Sequence, residues 1–208
     1  MRFNPPPMAS WFLRKICHVK NKLAPWIQKG SYNIATVYRE VSQQPLRVLW
    51  TKFVWNRASI PKQRFILWLA CHHKLKTRDK LFCMGFIQDD RCPMCCSAPE
   101  SLEHIFFECE FSAKCLTSLS NWLGIKFPPN LDRLARKSWK VSKMRKMVIM
   151  TSLCCLCYHI WRARNEAVWL SRLSTPDAVI HRLRREVKWR ISALYPAFSE
   201  DWFRLLFL

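Results

Sequence analysis

The spacing Cys-x2-Cys-x8-His-x4-Cys, at Cys92, Cys95, His104 and Cys109, constrains this chain more than any other feature. It lies in "RCPMCCSAPESLEHIFFECEFSAKC", where five cysteines and one histidine fall within residues 91–115. Two thiolates separated by two residues can point at one ion while the intervening backbone N–H groups face the sulfurs. Three thiolates and one imidazole form a tetrahedral set that suits Zn2+ and leaves no open position for water or substrate. Such a closed site acts on folding, on the order of 10 kcal/mol in small metal modules, rather than as a Lewis acid. Ser101 is placed to cap a short helix through "LEHIFFEC" that orients His104 relative to Cys109. Cys96 and Cys115 stay open as replacements for a neighbouring ligand. Buried free thiols are the bland alternative, and a redox Cys-x-x-Cys pair lacks the βαβ context it needs.

The rest of the chain reads as helical. Of 208 residues half are hydrophobic and eleven are Trp, enough for a real core, whereas only three are Gly. So few glycines disfavour phosphate-binding Gly-rich loops and tight hairpins. "PKQRFILWLACHHKL" places Phe65, Trp68, Leu69 and His72 on one helical face, with Pro61 at its start. "SAKCLTSLSNWL" does the same with Cys115, Leu119, Trp122 and Leu123. A long helix from Lys143 toward Leu173 is apolar all round in its middle, as a buried rod is. Thr175-Pro176-Asp177 is an N-cap, first position and acidic first turn for a helix burying Ile180, Leu183, Val187, Ile191 and Leu194. "KFPPNLD" at 126–132 is an internal linker. The expected fold is mainly α, a helical domain organised around one small CCHC zinc-binding element, with a C-terminal helical extension. Its expected parts are a connecting segment at 1–30, the zinc-binding domain at 31–125 and a basic extension at 126–208.

Charge is distributed unevenly. The formal net charge is +21, yet residues 81–125 carry six acids against two bases. An acidic island therefore surrounds the cysteines, with basic flanks on both sides. A surplus of that size suits a polyanionic partner. The island, with three thiolates overcompensating one Zn2+, would repel phosphate. Contacts are expected instead from Lys62, Arg64, Lys74, Lys76, Arg78 and Lys80, and from Arg136, Lys137, Lys140, Lys143, Arg145 and Lys146, with further bases at 182–190. Most of the Trp residues are expected in the core, any exposed ones being free to stack on bases. The longest apolar run, Met147–Trp161, has fifteen residues, short of the ~18–20 that span a bilayer. Without an export pattern at the N-terminus, eleven cysteines point to a reducing, intracellular setting, nuclear or cytoplasmic.

The stretch from "VWNRASIPKQRFILWLACHHKL" through "RCPMCCSAPESLEHIFFECEFS" strongly resembles the zinc-binding domain that follows the polymerase in plant non-LTR retrotransposon reverse transcriptases. "SWFLRKI" and "GSYNIATVYREV" resemble the segment before that domain, and "NWLGI" and "IWRARNEAVW" its helical trailer. The likeness covers roughly residues 9–195, and the family's four ligand positions fall on Cys92, Cys95, His104 and Cys109. It implies a noncatalytic zinc-binding module that helps a polymerase hold RNA or DNA with little sequence preference. Asp89-Asp90 reads as a pair of loop acids rather than a polymerase carboxylate pair, and no RNase H carboxylate set follows residue 126. The expected chain is therefore not an enzyme, and not a membrane protein. The competing reading is a structural or docking fragment that packs against the remainder of a reverse transcriptase.

Overall fold

The computed structural model describes residues 6, 8–28, 33, 35, 37 and 50–196. Most of "MRFNPPPM" and "GSYNIATVYREV", and all of "WFRLLFL", lie outside the described residues. The chain divides into two units, residues 1–48 and 49–208. The first contains α1 (Trp11–Gln28), whose start is held by Ser10 Oγ accepting from the Leu13 amide at 3.3 Å.

The second unit is built around one long rod. Its helices are α2 (Thr51–Val54), α3 (Pro61–Cys71), α4 (Arg78–Cys83), a π-turn (His104–Glu108), α5 (Glu110–Leu123), α6 (Leu131–Arg136), α7 (Lys143–Leu170) and α8 (Pro176–Leu194). Among the described residues there is no strand beyond a single antiparallel bridge, Arg91 to Pro99. The middle of α7 buries every residue from Val148 to Cys157, because α3, α5, α8 and the π-turn all pack on it. That enclosure is why its sequence shows no polar face until Trp161. The expected domain and extension are thus interlocked, α5 and α8 packing on each other as well as on α7.

Local chemistry sets the ends of these helices. Thr175 accepts from the Ala178 amide at 3.2 Å ahead of Pro176, which starts α8. Ser142 accepts from the Arg145 amide at 3.2 Å, and Asn130 from Arg133 at 2.9 Å, starting α7 and α6. The linker 126–132 therefore already contains the first turn of a helix. Gly124, at φ 61°, closes α5 in the left-handed conformation that a side chain disfavours. α8 buries Ile180, Leu183, Val187 and Ile191, spaced three or four apart as expected.

Two expectations are corrected. The face of α3 that turns inward is Gln63, Leu67 and Ala70, whereas Phe65 and His72 are exposed. The rotation has a polar cause. The Gln63 amide reaches Cys155 Sγ at 3.3 Å and Glu186 Oε1 at 3.0 Å, so the helix turns to deliver it. The Trp residues are also less buried than expected. Among the described ones only Trp139 is in the core, and Trp55, Trp169 and Trp189 are exposed. Cations cover several of them: Lys74 lies over Trp68, Arg184 over Trp122 and Arg164 over Trp161. An indole can bury one face under an alkyl stem and still satisfy its N–H at the surface. No helix among the described residues is long and apolar enough to cross a membrane.

Candidate metal centre

The four residues with ligand spacing come together. One donor atom from each of Cys92, Cys95, His104 and Cys109 lies within 4.8 Å of every other. The first pair comes from a tight turn: the Cys96 amide donates to Cys92 O at 2.8 Å and the Cys92 amide to Ala98 O at 2.8 Å. Cys96 takes a left-handed φ of 58°, which turns its own side chain outward, where it is exposed. The amides of Met94 and Cys95 face the Cys92 sulfur, as the spacing requires.

The second pair depends on the π-turn. In an α-helix, 3.6 residues per turn would leave side chains five apart separated by about 140° around the axis. Here the Cys109 amide donates to His104 O at 2.7 Å, an i to i+5 bond that widens the turn and brings residues 104 and 109 onto one side. Ser101 Oγ accepts from the His104 amide at 3.0 Å, so the residue expected to cap this segment does so.

The donor geometry fits zinc. Bonds of about 2.3 Å to sulfur and about 2.0 Å to nitrogen give tetrahedral edges near ~3.8 Å between sulfurs and ~3.5 Å between sulfur and nitrogen. Cys92 Sγ and Cys109 Sγ stand 3.9 Å apart, and Cys95 Sγ stands 3.3 Å from His104 Nε2. The outward ring nitrogen of His104, Nδ1, lies 3.9 Å from a Glu108 carboxylate oxygen, an outer partner of the kind that orients a ligand imidazole. Cys109 precedes the first turn of α5. Its thiol sits below the usual range, chiefly because Cys92 donates to it and also because the amides of Phe111 and Ser112 face it. Cys92 is pushed up correspondingly by holding that proton and by burial. Cys115 is elsewhere, its sulfur facing Pro176 O at 3.9 Å.

The acidic island is largely compensated within the fold. Glu100, fully buried, receives Arg164 in a bidentate pair with contacts of 2.6 and 2.9 Å, and accepts from the Arg78 amide at 2.7 Å. Asp89 pairs with Arg91 at 3.1 Å and Arg78 at 3.6 Å, and Glu110 with Lys114 at 2.7 Å. Counting charges along the chain misses Arg78 and Arg164, which arrive from other elements.

The twelve cations expected at a nucleic-acid surface divide in two. Lys62, Lys74, Lys76, Arg136, Lys140, Lys143 and Lys146 are exposed. Arg78 is drawn into Asp89, donating to its carbonyl at 2.7 Å, while Lys80 donates to the carbonyls of His73 and Leu75. Arg145 reaches Leu123 O at 3.3 Å, at the end of α5. Arg64 lies over Trp55 and Lys137 over Trp139.

A second group was not expected from the sequence. Cys155, His159 and Glu186 place donor atoms within 4.8 Å of one another. His159 Nε2 lies 2.8 Å from Glu186 Oε2, and Cys155 Sγ donates to the same oxygen at 3.6 Å. With Gln63 it makes a hydrogen-bonded clasp joining α3, α7 and α8. The Cys155-x3-His159 spacing, one helical turn, is the signal that could have revealed it.

No curated protein and no solved structure matches the chain. A family model described as zinc-binding in reverse transcriptase matches residues 32–115, the segment that holds all four converging ligands. Residues 32–115 are thus a zinc-binding domain of the reverse-transcriptase type.

Proposed function

We propose that the chain is a noncatalytic zinc-binding module of a retrotransposon-derived reverse transcriptase-like protein, of the plant non-LTR type, that holds RNA or DNA by its phosphates. On this reading the zinc-binding domain spans 31–125 and the basic helical extension 126–208. Cys92, Cys95, His104 and Cys109 hold one Zn2+ with no position left for a reacting group. The observation that carries the reading is the separation of tasks. The cations near the metal are engaged by Asp89, Glu100 and Glu110, while exposed lysines remain on α3, on the turn after it and at the start of α7. The ion then acts by fixing the helices that carry those lysines.

A second reading is favoured by the apolar surface at the end of α7, where Trp169, Leu170 and Leu173 are exposed. That surface suits docking against the rest of a reverse transcriptase, with no independent nucleic-acid binding. One experiment separates the two. The chain is expressed with zinc, its metal content measured, and single-stranded RNA and duplex DNA are titrated over a range of salt. One equivalent of zinc and affinity falling linearly on a log–log plot against salt are expected for phosphate contacts. Absence of binding at low salt would leave the docking reading in place.

A further inference from the structure

We propose that the cleft between the α2–α3 turn and the start of α7 takes an unstacked base of a single-stranded nucleic acid, with flanking phosphates on its rim. The proposal rests on the nucleic-acid reading above and gives it a location. The cleft has a volume of about 500 Å³, within the range of small-ligand sites. Its apolar lining is Trp55 with Met144, Met147 and Met150, and its cations are Lys52, Arg57, Lys143 and Lys146. No carboxylate lines it. Stackable ring, soft apolar floor and uncompensated positive rim together match a nucleotide, and neither a neutral peptide nor an aliphatic ligand needs all three.

Three further observations support this occupant. Trp55 is 56 % exposed, and the Arg64 guanidinium lies 6.0 Å from its ring centroid. The indole is thereby held as a platform with surface still available. The wall that carries it is rigid: Asn56 Nδ2 donates to Met147 O at 3.1 Å and Thr151 Oγ1 at 2.8 Å, and Arg190 donates to Ala58 O at 3.1 Å. The third observation is electrostatic. The first turn of α7 has Lys143, Arg145 and Lys146 and no acid, which sets cations against the positive end of the helix dipole. Such a placement costs stability in the free chain, and a bound phosphate reverses its sign. A duplex conceals its base faces, so a single strand is the form this cleft accepts.

The test uses the full chain loaded with zinc. Three probes are titrated: a short single-stranded RNA, a strand of equal length with abasic positions, and a duplex. Trp55→Leu keeps an apolar side chain at an exposed position and removes the ring. It is expected to weaken the single strand about tenfold, to leave the abasic strand and the duplex unchanged, and to keep the salt slope. Lys143→Gln with Lys146→Gln is expected to lower the single-strand slope by about one. An unaltered single-strand affinity in Trp55→Leu, or an equal loss on all three probes, overturns the cleft assignment alone. So does displacement of the RNA by polyglutamate at the concentration at which the abasic strand displaces it, which marks a general anion surface. Failure of the unaltered chain to bind any probe overturns the nucleic-acid reading together with the cleft.

Discussion

Arg164 and Glu100 hold each other where neither could stay charged alone. The carboxylate is fully buried and the arginine side chain 4 % exposed. Three geometric details make the pair tolerable: the bidentate contact, the Arg78 amide on the carboxylate, and the guanidinium's own bonds to Asn165 at 3.0 Å and Lys76 O at 3.4 Å. Desolvation is offset only when nearly every donor and acceptor is satisfied. Arg164→Met is therefore expected to destabilise the fold by about 3–5 kcal/mol, since it strands a buried carboxylate. Adding Glu100→Gln should recover a large part of that loss, the amide oxygen still accepting from the Arg78 amide. Urea unfolding of the two single variants and the double variant measures the coupling; additive effects would mean that the pair does not act as a unit.

At the scale of elements, α3, α7 and α8 are joined by polar side chains inside an otherwise apolar interface. Glu186 accepts from Gln63, Cys155 and His159. Burial lowers the His159 pKa below its ordinary value, and Arg182 and Arg162 act in the same sense, against an upward pull from Glu186. The folded state then binds fewer protons at this ring than the unfolded state. Its contribution to stability is present above the ordinary imidazole range, around pH 6.5, and is lost as the pH falls through the folded value. His159→Gln is expected to flatten the decline in stability between about pH 7 and pH 5 relative to the unaltered chain. Unfolding at fixed pH values checks this, and acid release of metal, common to both proteins, cancels in the difference. Parallel curves would mean that His159 does not titrate with folding. This clasp also explains what the sequence could not convey. Caps such as Thr175 and the apolar faces of α5 and α8 are local patterns, so they are legible. The inward face of α3 is not, because its cause, Gln63 meeting Glu186, joins residues 123 apart. The ligand set was legible from spacing, and the choice against Cys96 and Cys115 follows from a left-handed backbone and a distant helix contact. The π-turn has no such sequence signal, yet the alignment of His104 and Cys109 depends on it.

For the molecule as a whole, the metal centre and the helical core have separate sources of order. Residues 91–109 contain little regular structure beyond the π-turn, and their backbone bonds run mainly between the ligand turn and its immediate neighbours, as from Glu100 to Asp90 at 2.8 Å. Leu153, Leu156 and Ile160 of α7, by contrast, pack among Leu67, Leu183 and Ile191, all essentially fully buried. Burial on that scale holds helices without a metal, whereas a short loop with few apolar contacts has nothing to offset its ordering entropy. Removing the ion with a chelator at neutral pH is therefore expected to abolish hydrogen-exchange protection at the Cys92, Cys96, Glu100 and Cys109 amides. Protection in the middle of α7 and α8 should fall but persist, because only the edge of the core rests on the metal segment. The link between them is Arg164, so Glu100 should loosen with the ligand turn while α7 stays helical. Simultaneous loss of protection at all these amides would show instead that the ion stabilises one indivisible unit. Retention at all of them would mean that the four side chains hold their places without a metal at all.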